Sequence, residues 1–128
     1  MHGLHLTADL HGCAATHAVM TDAAALRALC LGAVAASGLQ AVGALFHTFP
    51  APGGVTGVVL LAESHLAVHT WPELGAVTLD VYVCNLRHDH SPQAETLLAA
   101  LALPFAAAHT EMHRVHRGAG PQRSFGLR

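Results

Sequence analysis

The most informative absence in this sequence is lysine, because all six basic residues are arginine. Enzymes that use pyridoxal phosphate hold that cofactor as a Schiff base on a lysine side chain, so the absence excludes this class. Charged residues are also scarce, at 11% of the chain, and the formal net charge is −2. Since the few arginines form no basic stripe, we expect no nucleic-acid partner.

Cysteines and long apolar runs are sparse as well. The three cysteines, Cys13, Cys30 and Cys84, include no CxxC pair, which disfavours both a disulfide framework and a cysteine zinc site. Arg27 and Ser37-Gly38 interrupt the most apolar stretch, so no run reaches the roughly 20 residues of a membrane span. The first residues lack the basic-then-apolar pattern of a signal peptide. We therefore expect a cytoplasmic protein that does not contact a membrane.

Apolar residues, in contrast, are abundant, at 52% of 128 residues. A chain of this length fits one domain over residues 1–128. The apolar content exceeds what the core of a small domain needs, and the excess predicts an interface between copies of the chain.

Hydrophobic periodicity predicts alternating strands and helices. Period-2 patterns predict strands over residues 4–10, 41–49, 55–61, 65–70, 77–84 and 109–116. Helices are predicted over residues 23–36, after the N-cap candidates Thr21 and Asp22, and over 93–102, after Ser91-Pro92. Residues 72–75 read as a turn, and 118–128 as a loose tail. This order indicates an α+β fold, a two-layer sandwich in which helices cover one face of a mainly antiparallel sheet.

Residues 63–73, Glu-Ser-His-Leu-Ala-Val-His-Thr-Trp-Pro-Glu, are the most informative segment. Taken alone, Ser64 and His69 suggest a serine nucleophile with a histidine base. The alternative is an ordinary sheet strand that contains a few polar residues. The segment itself does not decide between these two interpretations.

This segment closely resembles the processing and active-site motif of bacterial and archaeal S-adenosylmethionine decarboxylases. The agreement continues through residues 54–61 (Gly-Val-Thr-Gly-Val-Val-Leu-Leu) and 80–84 (Asp-Val-Tyr-Val-Cys). Residues 4–13 (Leu-His-Leu-Thr-Ala-Asp-Leu-His-Gly-Cys) are similar to the opening strand of that family. The resemblance covers most of residues 4–116.

The resemblance implies that the chain cuts itself between Glu63 and Ser64, giving a beta chain of residues 1–63 and an alpha chain of 64–128. Ser64 would become a pyruvoyl group that forms a Schiff base with the substrate and serves as the electron sink. The substrate would be S-adenosylmethionine, and the decarboxylated product would feed spermidine synthesis. This cofactor would take the place of the excluded pyridoxal phosphate.

The resemblance also implies roles for three further residues. His69 matches the histidine that accepts the Cα proton during self-cleavage, and imidazole titrates near neutral pH. Cys84 matches the cysteine that donates a proton to the product. Thr56 lies where the family usually has serine, whose hydroxyl assists cleavage. The β-branched threonine keeps the hydroxyl but stiffens χ1, so the speed of cleavage is in question.

Substrate contacts are implied by resemblance in the same way. Phe49 resembles the aromatic residue that stacks on adenine, and Glu73 resembles the carboxylate that binds the ribose hydroxyls. Their alternative roles are a core phenylalanine and a turn glutamate. Two departures bear on the pocket: the Gly53-Gly54 loop carries one residue more than usual, and Asn85 replaces a frequent glycine.

The twelve histidines suggest metal sites as an alternative. One candidate is His88-Asp89-His90. Another is the set of His109, His113 and His116, which would share a face on a helix. On a strand, His116 would point away from the other two. Because the resembled family needs no metal, we expect none.

The resemblance therefore implies a homodimer of cleaved protomers with active sites near the interface, acting on S-adenosylmethionine. Two alternatives stay open. The same scaffold could decarboxylate ornithine or arginine, although Phe49 and Glu73 favour a nucleoside substrate. An uncleaved homologue that only binds or regulates a partner is the other alternative, and the intact catalytic residues argue against it.

Overall fold

The chain forms a six-stranded sheet with its helices packed on one side. The computed structural model describes residues 1–118, so the expected tail lies outside the described residues except for Gly118. The strands are β1 (Gly3–His11), β2 (Ala41–Thr48), β3 (Val55–Leu61), β4 (Ser64–Trp71), β5 (Ala76–Cys84) and β6 (His109–Arg117). The helices are α1 (Ala18–Thr21), α2 (Ala23–Ser37) and α3 (Ser91–Ala102), with 3-10 turns at Pro72–Leu74 and Leu103–Phe105.

The strands lie in the order β2-β3-β4-β5-β1-β6, and every neighbouring pair is antiparallel. Consecutive strands β2 to β5 are joined as a meander, whereas β1 lies between β5 and β6. The predicted α+β class and the mainly antiparallel sheet are thus confirmed.

Alternation along the strands separates two faces of the sheet. On one face the side chains are almost fully buried, for example Leu6, Val59, Val68 and Leu79. Helix α2 packs on this face against β2 and β3, and α3 packs against β5 and β1. The core therefore lies between the sheet and one helical layer, as the predicted two-layer sandwich requires.

Local signals explain where α2 begins and ends. The Asp22 side chain accepts a hydrogen bond from the Ala24 backbone N–H at 2.9 Å, which caps the helix N-terminus. At the other end Gly38 adopts a left-handed conformation, with φ 86°, that glycine reaches without steric cost. The predicted boundaries of 23–36 are confirmed to within one residue. The one-turn helix α1 was not predicted, because four residues are too few to show a helical period.

The opposite face of the sheet carries polar side chains that are partly exposed. His5, His65, His69, Asp80 and Tyr82 alternate with the buried positions of their strands and therefore point to this side. All three described helices pack on the other face. We call this polar side the open face, and the site residues discussed below lie on it or at its ends.

Candidate active site

Ser64 begins β4 directly after a two-residue turn from β3. The pair Leu61 and Ser64 closes this hairpin, so Ala62 and Glu63 form the turn. Glu63 adopts φ 60°, in the left-handed region that residues with a side chain rarely occupy. This conformation costs roughly 1–2 kcal/mol for an L-residue. The peptide bond between Glu63 and Ser64 therefore follows a strained residue.

Ser64 and Cys84 meet at one end of the sheet. The Cys84 backbone N–H donates a hydrogen bond to Ser64 Oγ at 3.2 Å. Cys84 is the last residue of β5, is partly buried, and shares the open face with Asp80 and Tyr82, because alternate residues of a strand point to the same side. The serine hydroxyl is thus held beside the cysteine, although the contact uses the cysteine backbone rather than its thiol.

Two cavities reach Ser64 from different sides. One, of about 310 Å³, is also lined by Glu63, His65, Tyr82 and Arg117. The other, of about 210 Å³, is lined by Ser64 together with residues that include Leu61 and His90. The Ser64 end of the sheet therefore borders a cavity on each of two sides.

Thr56 and His69 form a second polar pair. They lie opposite each other on β3 and β4, and Thr56 Oγ1 is 3.1 Å from His69 Nδ1. The threonine hydroxyl thus reaches the histidine just as a serine hydroxyl could. The His69 ring also stacks against Trp71, with centroids 5.8 Å apart and planes at 26°. These two contacts fix the orientation of the imidazole.

Phe49 and Glu73 lie next to this second pair. Both line a cavity of about 420 Å³ together with Thr56, His69 and Trp71. Phe49 is 46% exposed and Trp71 is 37% exposed, so each ring leaves part of its surface available to a ligand. Trp71 is not among the predicted site residues, although its position two residues after the candidate base His69 places both side chains on the same face of a strand.

The loop that carries Phe49 is tied to the sheet by a buried threonine. Thr70 Oγ1 accepts from the Val55 backbone N–H at 2.8 Å and donates to the Met20 carbonyl at 2.7 Å. The longer Gly53-Gly54 loop lines the cavity with Phe49. Helix α1, through Met20, therefore helps to hold the walls of the cavity.

Asn85 organises the loop that precedes α3. Its side chain accepts from the His90 backbone N–H at 2.7 Å and donates to Ser91 Oγ at 3.1 Å. A glycine could make neither bond. This departure from the family pattern thus has a structural role close to Cys84.

His69 and Cys84 lie on neighbouring strands but are not close together. His69 lies opposite Thr78, near the other end of β5 from Cys84. At about 3.3 Å of rise per residue, roughly 16 Å separates His69 from Ser64 along β4. The predicted site residues therefore form two separate groups, one with Glu63, Ser64 and Cys84 and one with Phe49, Thr56, His69 and Glu73.

The two histidine sets suggested by the sequence do not assemble as metal sites within residues 1–118. His109 and His113 share the open face of β6 while His116 points away, as expected for a strand. In the loop, Asp89 accepts from the Ser91 backbone N–H at 3.0 Å, and this bond lowers the pKa of the carboxyl. The group of three whose ligand atoms do converge, His5, His65 and Asp80, was not predicted.

Cys13 and Cys30 are buried on the helical side and unpaired. Burial raises the pKa of the Cys13 thiol and raises that of Cys30 to about 12. Both behave as small apolar residues of the core. Cys84 is the only one of the three cysteines that is not fully buried, which agrees with a role at the site.

These features define an α+β protein with a polar site on the open face of an antiparallel sheet. More specifically, the chain belongs to the S-adenosylmethionine decarboxylase family, whose sequence profile matches residues 4–118. No described helix is long and apolar enough to cross a bilayer.

Several curated relatives are similar to this chain and carry the name S-adenosylmethionine decarboxylase proenzyme. The relative from Syntrophomonas wolfei is 41% identical over 66% of this chain and 65% of its own length. The relative from Aquifex aeolicus is 46% identical over 65% of this chain and 59% of its own length. A protein from Halalkalibacterium halodurans, named proenzyme 2, is 34% identical over 93% of this chain and 88% of its own length. The match thus spans just under two thirds of the length of the Syntrophomonas relative.

A solved structure supports the same assignment. The crystal structure of the adenosylmethionine decarboxylase from Aquifex aeolicus matches this fold with a TM-score of 0.81 and 33% identity. The match covers 94% of each chain.

Proposed function

We propose that this protein is a self-cleaving, pyruvoyl-dependent decarboxylase of S-adenosylmethionine. The observation that carries the proposal is the placement of Ser64, which follows the strained Glu63 and is held by the Cys84 backbone N–H at a cavity. Membership of the family supports the choice of substrate. The products would be CO₂ and S-adenosylmethioninamine, the aminopropyl donor for spermidine synthesis.

Cleavage would begin with attack of Ser64 Oγ on the carbonyl carbon of Glu63. The new C–O bond replaces the C–N bond, and the serine nitrogen takes the hydroxyl proton, so that the amide becomes an ester. Removal of the Ser64 Cα proton then expels the Glu63 carboxylate and leaves dehydroalanine. Water converts this to a pyruvoyl group and releases ammonia. The chain becomes residues 1–63 and 64–128.

The residues at this end of the sheet fit a pyruvoyl group. The first residue of β4 lies between two cavities, so substrate and water reach it, and Cys84 lies beside it. When formed, the group supplies a ketone that acts as the electron sink of decarboxylation. Cys84 would return a proton to the product α-carbon, since a thiol is a competent acid. This reaction needs no metal ion.

The base of the cleavage step would come from a second copy of the chain. A general base must lie within hydrogen-bond reach of the proton that it removes. His69 is roughly 16 Å from Ser64 along β4, which is too far. In a homodimer that pairs the open faces, His69 and Thr56 of one protomer would serve Ser64 of the other. Leu45 and Leu60, 72% and 52% exposed on this face, offer apolar contact area.

The same arrangement would bring the substrate-binding residues to the pyruvoyl end. Phe49 would stack on adenine and Glu73 would accept hydrogen bonds from the ribose hydroxyls. Trp71 adds a second exposed aromatic surface in the same cavity. Aromatic faces also attract a cation, which suits the sulfonium of S-adenosylmethionine.

A side-by-side assay of CO₂ release from S-adenosylmethionine, ornithine and arginine tests the substrate. We expect S-adenosylmethionine to react fastest, and a faster reaction with ornithine or arginine would favour the alternative substrate. Denaturing mass analysis tests self-cleavage: the purified protein should contain two chains, the second with a carbonyl that borohydride traps. The Ser64→Ala variant should remain a single chain. A single-chain, inactive wild type would favour a binding or regulatory homologue.

A further inference from the structure

We propose that His5, His65 and Asp80 form a binding site for a divalent transition-metal ion of the zinc type. Their ligand atoms, one from each residue, all lie within 4.8 Å of one another. The three residues come from three adjacent strands, β1, β4 and β5, so no local sequence spacing groups them.

The register of the sheet produces this convergence. His5 and His65 lie on either side of Tyr82 in one row across the sheet. Asp80 is two residues before Tyr82 on the same strand and therefore points to the same face. Two imidazoles and one carboxylate thus approach a common point above the open face.

Of the two distances to Asp80, one is that of a hydrogen bond and the other is close to the spacing of two ligands of one ion. Asp80 Oδ2 is 2.9 Å from His5 Nε2, which is a hydrogen bond, and 3.6 Å from His65 Nε2, which is too long for one. Two ligand atoms each about 2.1 Å from a tetrahedral zinc ion are about 3.4 Å apart. The distance between His65 Nε2 and Asp80 Oδ2 is therefore close to the distance expected between two ligands of one zinc ion.

Neighbouring groups hold the two imidazoles in place. The His65 ring stacks on Tyr82 at 5.7 Å, and the His5 ring meets the edge of Tyr82 at 5.8 Å. These ring contacts restrict the orientation of both imidazoles. Arg117 Nη1 lies 3.4 Å from His5 Nδ1, and its guanidinium is 5.4 Å from the Tyr82 ring centroid. This cation lowers the affinity for a metal ion but does not occupy the position between the three ligands.

In a single protomer the site faces solvent, and in the homodimer proposed above it would lie between the two open faces. The His5, Asp80 and His65 side chains are 22%, 27% and 37% exposed, and the adjacent cavity of about 310 Å³ leaves room for water as a fourth ligand. Metal binding would replace the hydrogen bond between His5 Nε2 and Asp80 Oδ2. The ion is not needed for the proposed decarboxylation.

Titration of the purified, tag-free protein with Zn²⁺, followed by calorimetry, tests this proposal. The visible absorption of Co²⁺ in place of Zn²⁺ reports on the ligands directly. We expect one ion per protomer at this site. Asp80→Asn and His5→Gln should each weaken zinc binding by more than about tenfold, because loss of a residue that only supports a metal ligand already lowers metal affinity about tenfold or more. As a matched control, the double variant His88→Gln/His109→Gln removes two other exposed histidines and should bind as the wild type does.

Circular dichroism verifies that each variant is folded. If Asp80→Asn does not fold, the His5→Gln variant still tests the proposal. Equal affinity in wild type, Asp80→Asn and His5→Gln would overturn the proposal. So would a wild type that binds no Zn²⁺, or loss of binding only in the control variant. Because the measurement does not use decarboxylation, its failure and that of the proposed function are distinguishable.

Discussion

Ser64 and His69 lie on the same strand, five residues apart, and face different neighbours at its two ends. Ser64 Oγ accepts from the Cys84 backbone N–H, whereas His69 Nδ1 meets the Thr56 hydroxyl. The predicted site residues of one protomer therefore form two separate groups at opposite ends of β4. This separation is the strongest structural reason to expect that two copies build each site.

Co-expression of Ser64→Ala with His69→Ala tests this sharing of sites. In a mixed dimer one site has lost both residues and the other has kept both, so one of two sites should work. We expect each variant expressed by itself to stay uncleaved. In the mixture, denaturing mass analysis should find that only the His69→Ala chain is cleaved. A mixture with no cleaved chain would contradict shared sites.

The Thr56 hydroxyl is predicted to matter through its contact with His69. The Thr56→Val variant keeps the shape but loses this contact, and a net hydrogen bond of about 1–1.5 kcal/mol corresponds to roughly tenfold in rate. We expect cleavage to slow by about that factor. The control Thr56→Ser keeps the hydroxyl and should cleave at least as fast as wild type. Equal rates for Thr56→Val and wild type, measured by time-resolved electrophoresis, would count against the role.

The backbone strain at Glu63 predicts a stability effect that its side chain cannot explain. Glycine adopts positive φ freely, so Glu63→Gly should relieve roughly 1 kcal/mol in the uncleaved precursor. Measured by urea unfolding in the Ser64→Ala background, this variant should be more stable than its parent. The control Glu63→Ala removes the carboxylate but keeps the strain, and should not be more stable. Equal stability of the two variants would show that the turn stores no strain.

Substrate recognition is predicted to depend on Phe49 and Glu73 without affecting cleavage. Aromatic contacts contribute about 0.5–1.5 kcal/mol beyond area burial, and hydrogen bonds to charged groups about 1.5–3 kcal/mol. Phe49→Ala and Glu73→Gln should therefore each lower kcat/KM for S-adenosylmethionine by roughly tenfold. Leu74→Ala, at a side chain that is 71% exposed, is the control and should react normally. Unchanged kcat/KM in both site variants would argue against a nucleoside substrate.

Alkylation should distinguish the cysteines of the native protein. Burial raises the pKa of Cys30 to about 12, so almost no reactive thiolate exists near pH 8, and the side chain is inaccessible. Cys84 is only partly buried. Peptide mapping after iodoacetamide treatment should find Cys84 modified first and Cys30 modified only after unfolding. Early modification of Cys30 would show that the core opens.

The raised pKa of the Cys30 thiol also makes the stability of the folded protein depend on pH. The neutral thiol is favoured in the folded state, so this contribution is complete below the unfolded pKa of about 9. It is lost as the pH rises from there towards about 12. We expect wild type to lose more stability than Cys30→Ala over this alkaline range, as followed by thermal melts.

Local patterns were sufficient for most of the secondary structure. The strand predicted over residues 77–84 is observed at Ala76–Cys84, because its buried residues alternate regularly. The predicted turn was also correct, and it contained enough information to place His69 opposite Thr78. Because Cys84 lies six residues beyond Thr78, the pairing of these strands does not bring His69 and Cys84 together.

The His5, His65 and Asp80 group could not be predicted from the sequence. His5 and Asp80 are 75 positions apart and meet only because β1 inserts beside β5. Nothing in the local pattern of either strand specifies that pairing, since the same alternation suits several partners. Conversely, histidines that are close in sequence, such as His113 and His116, lie on opposite sides of β6.

The strand order has a consequence for what self-cleavage would produce. Strands β1 to β3 precede the proposed cut and β4 to β6 follow it, so the sheet would alternate between the two fragments at three junctions. Strand β1 of the first fragment would remain hydrogen-bonded on both sides to the second. Neither piece could leave without dismantling the hydrophobic core, so the nicked protein would persist as an interlocked pair rather than release a propeptide. Separating the fragments would be the same event as unfolding.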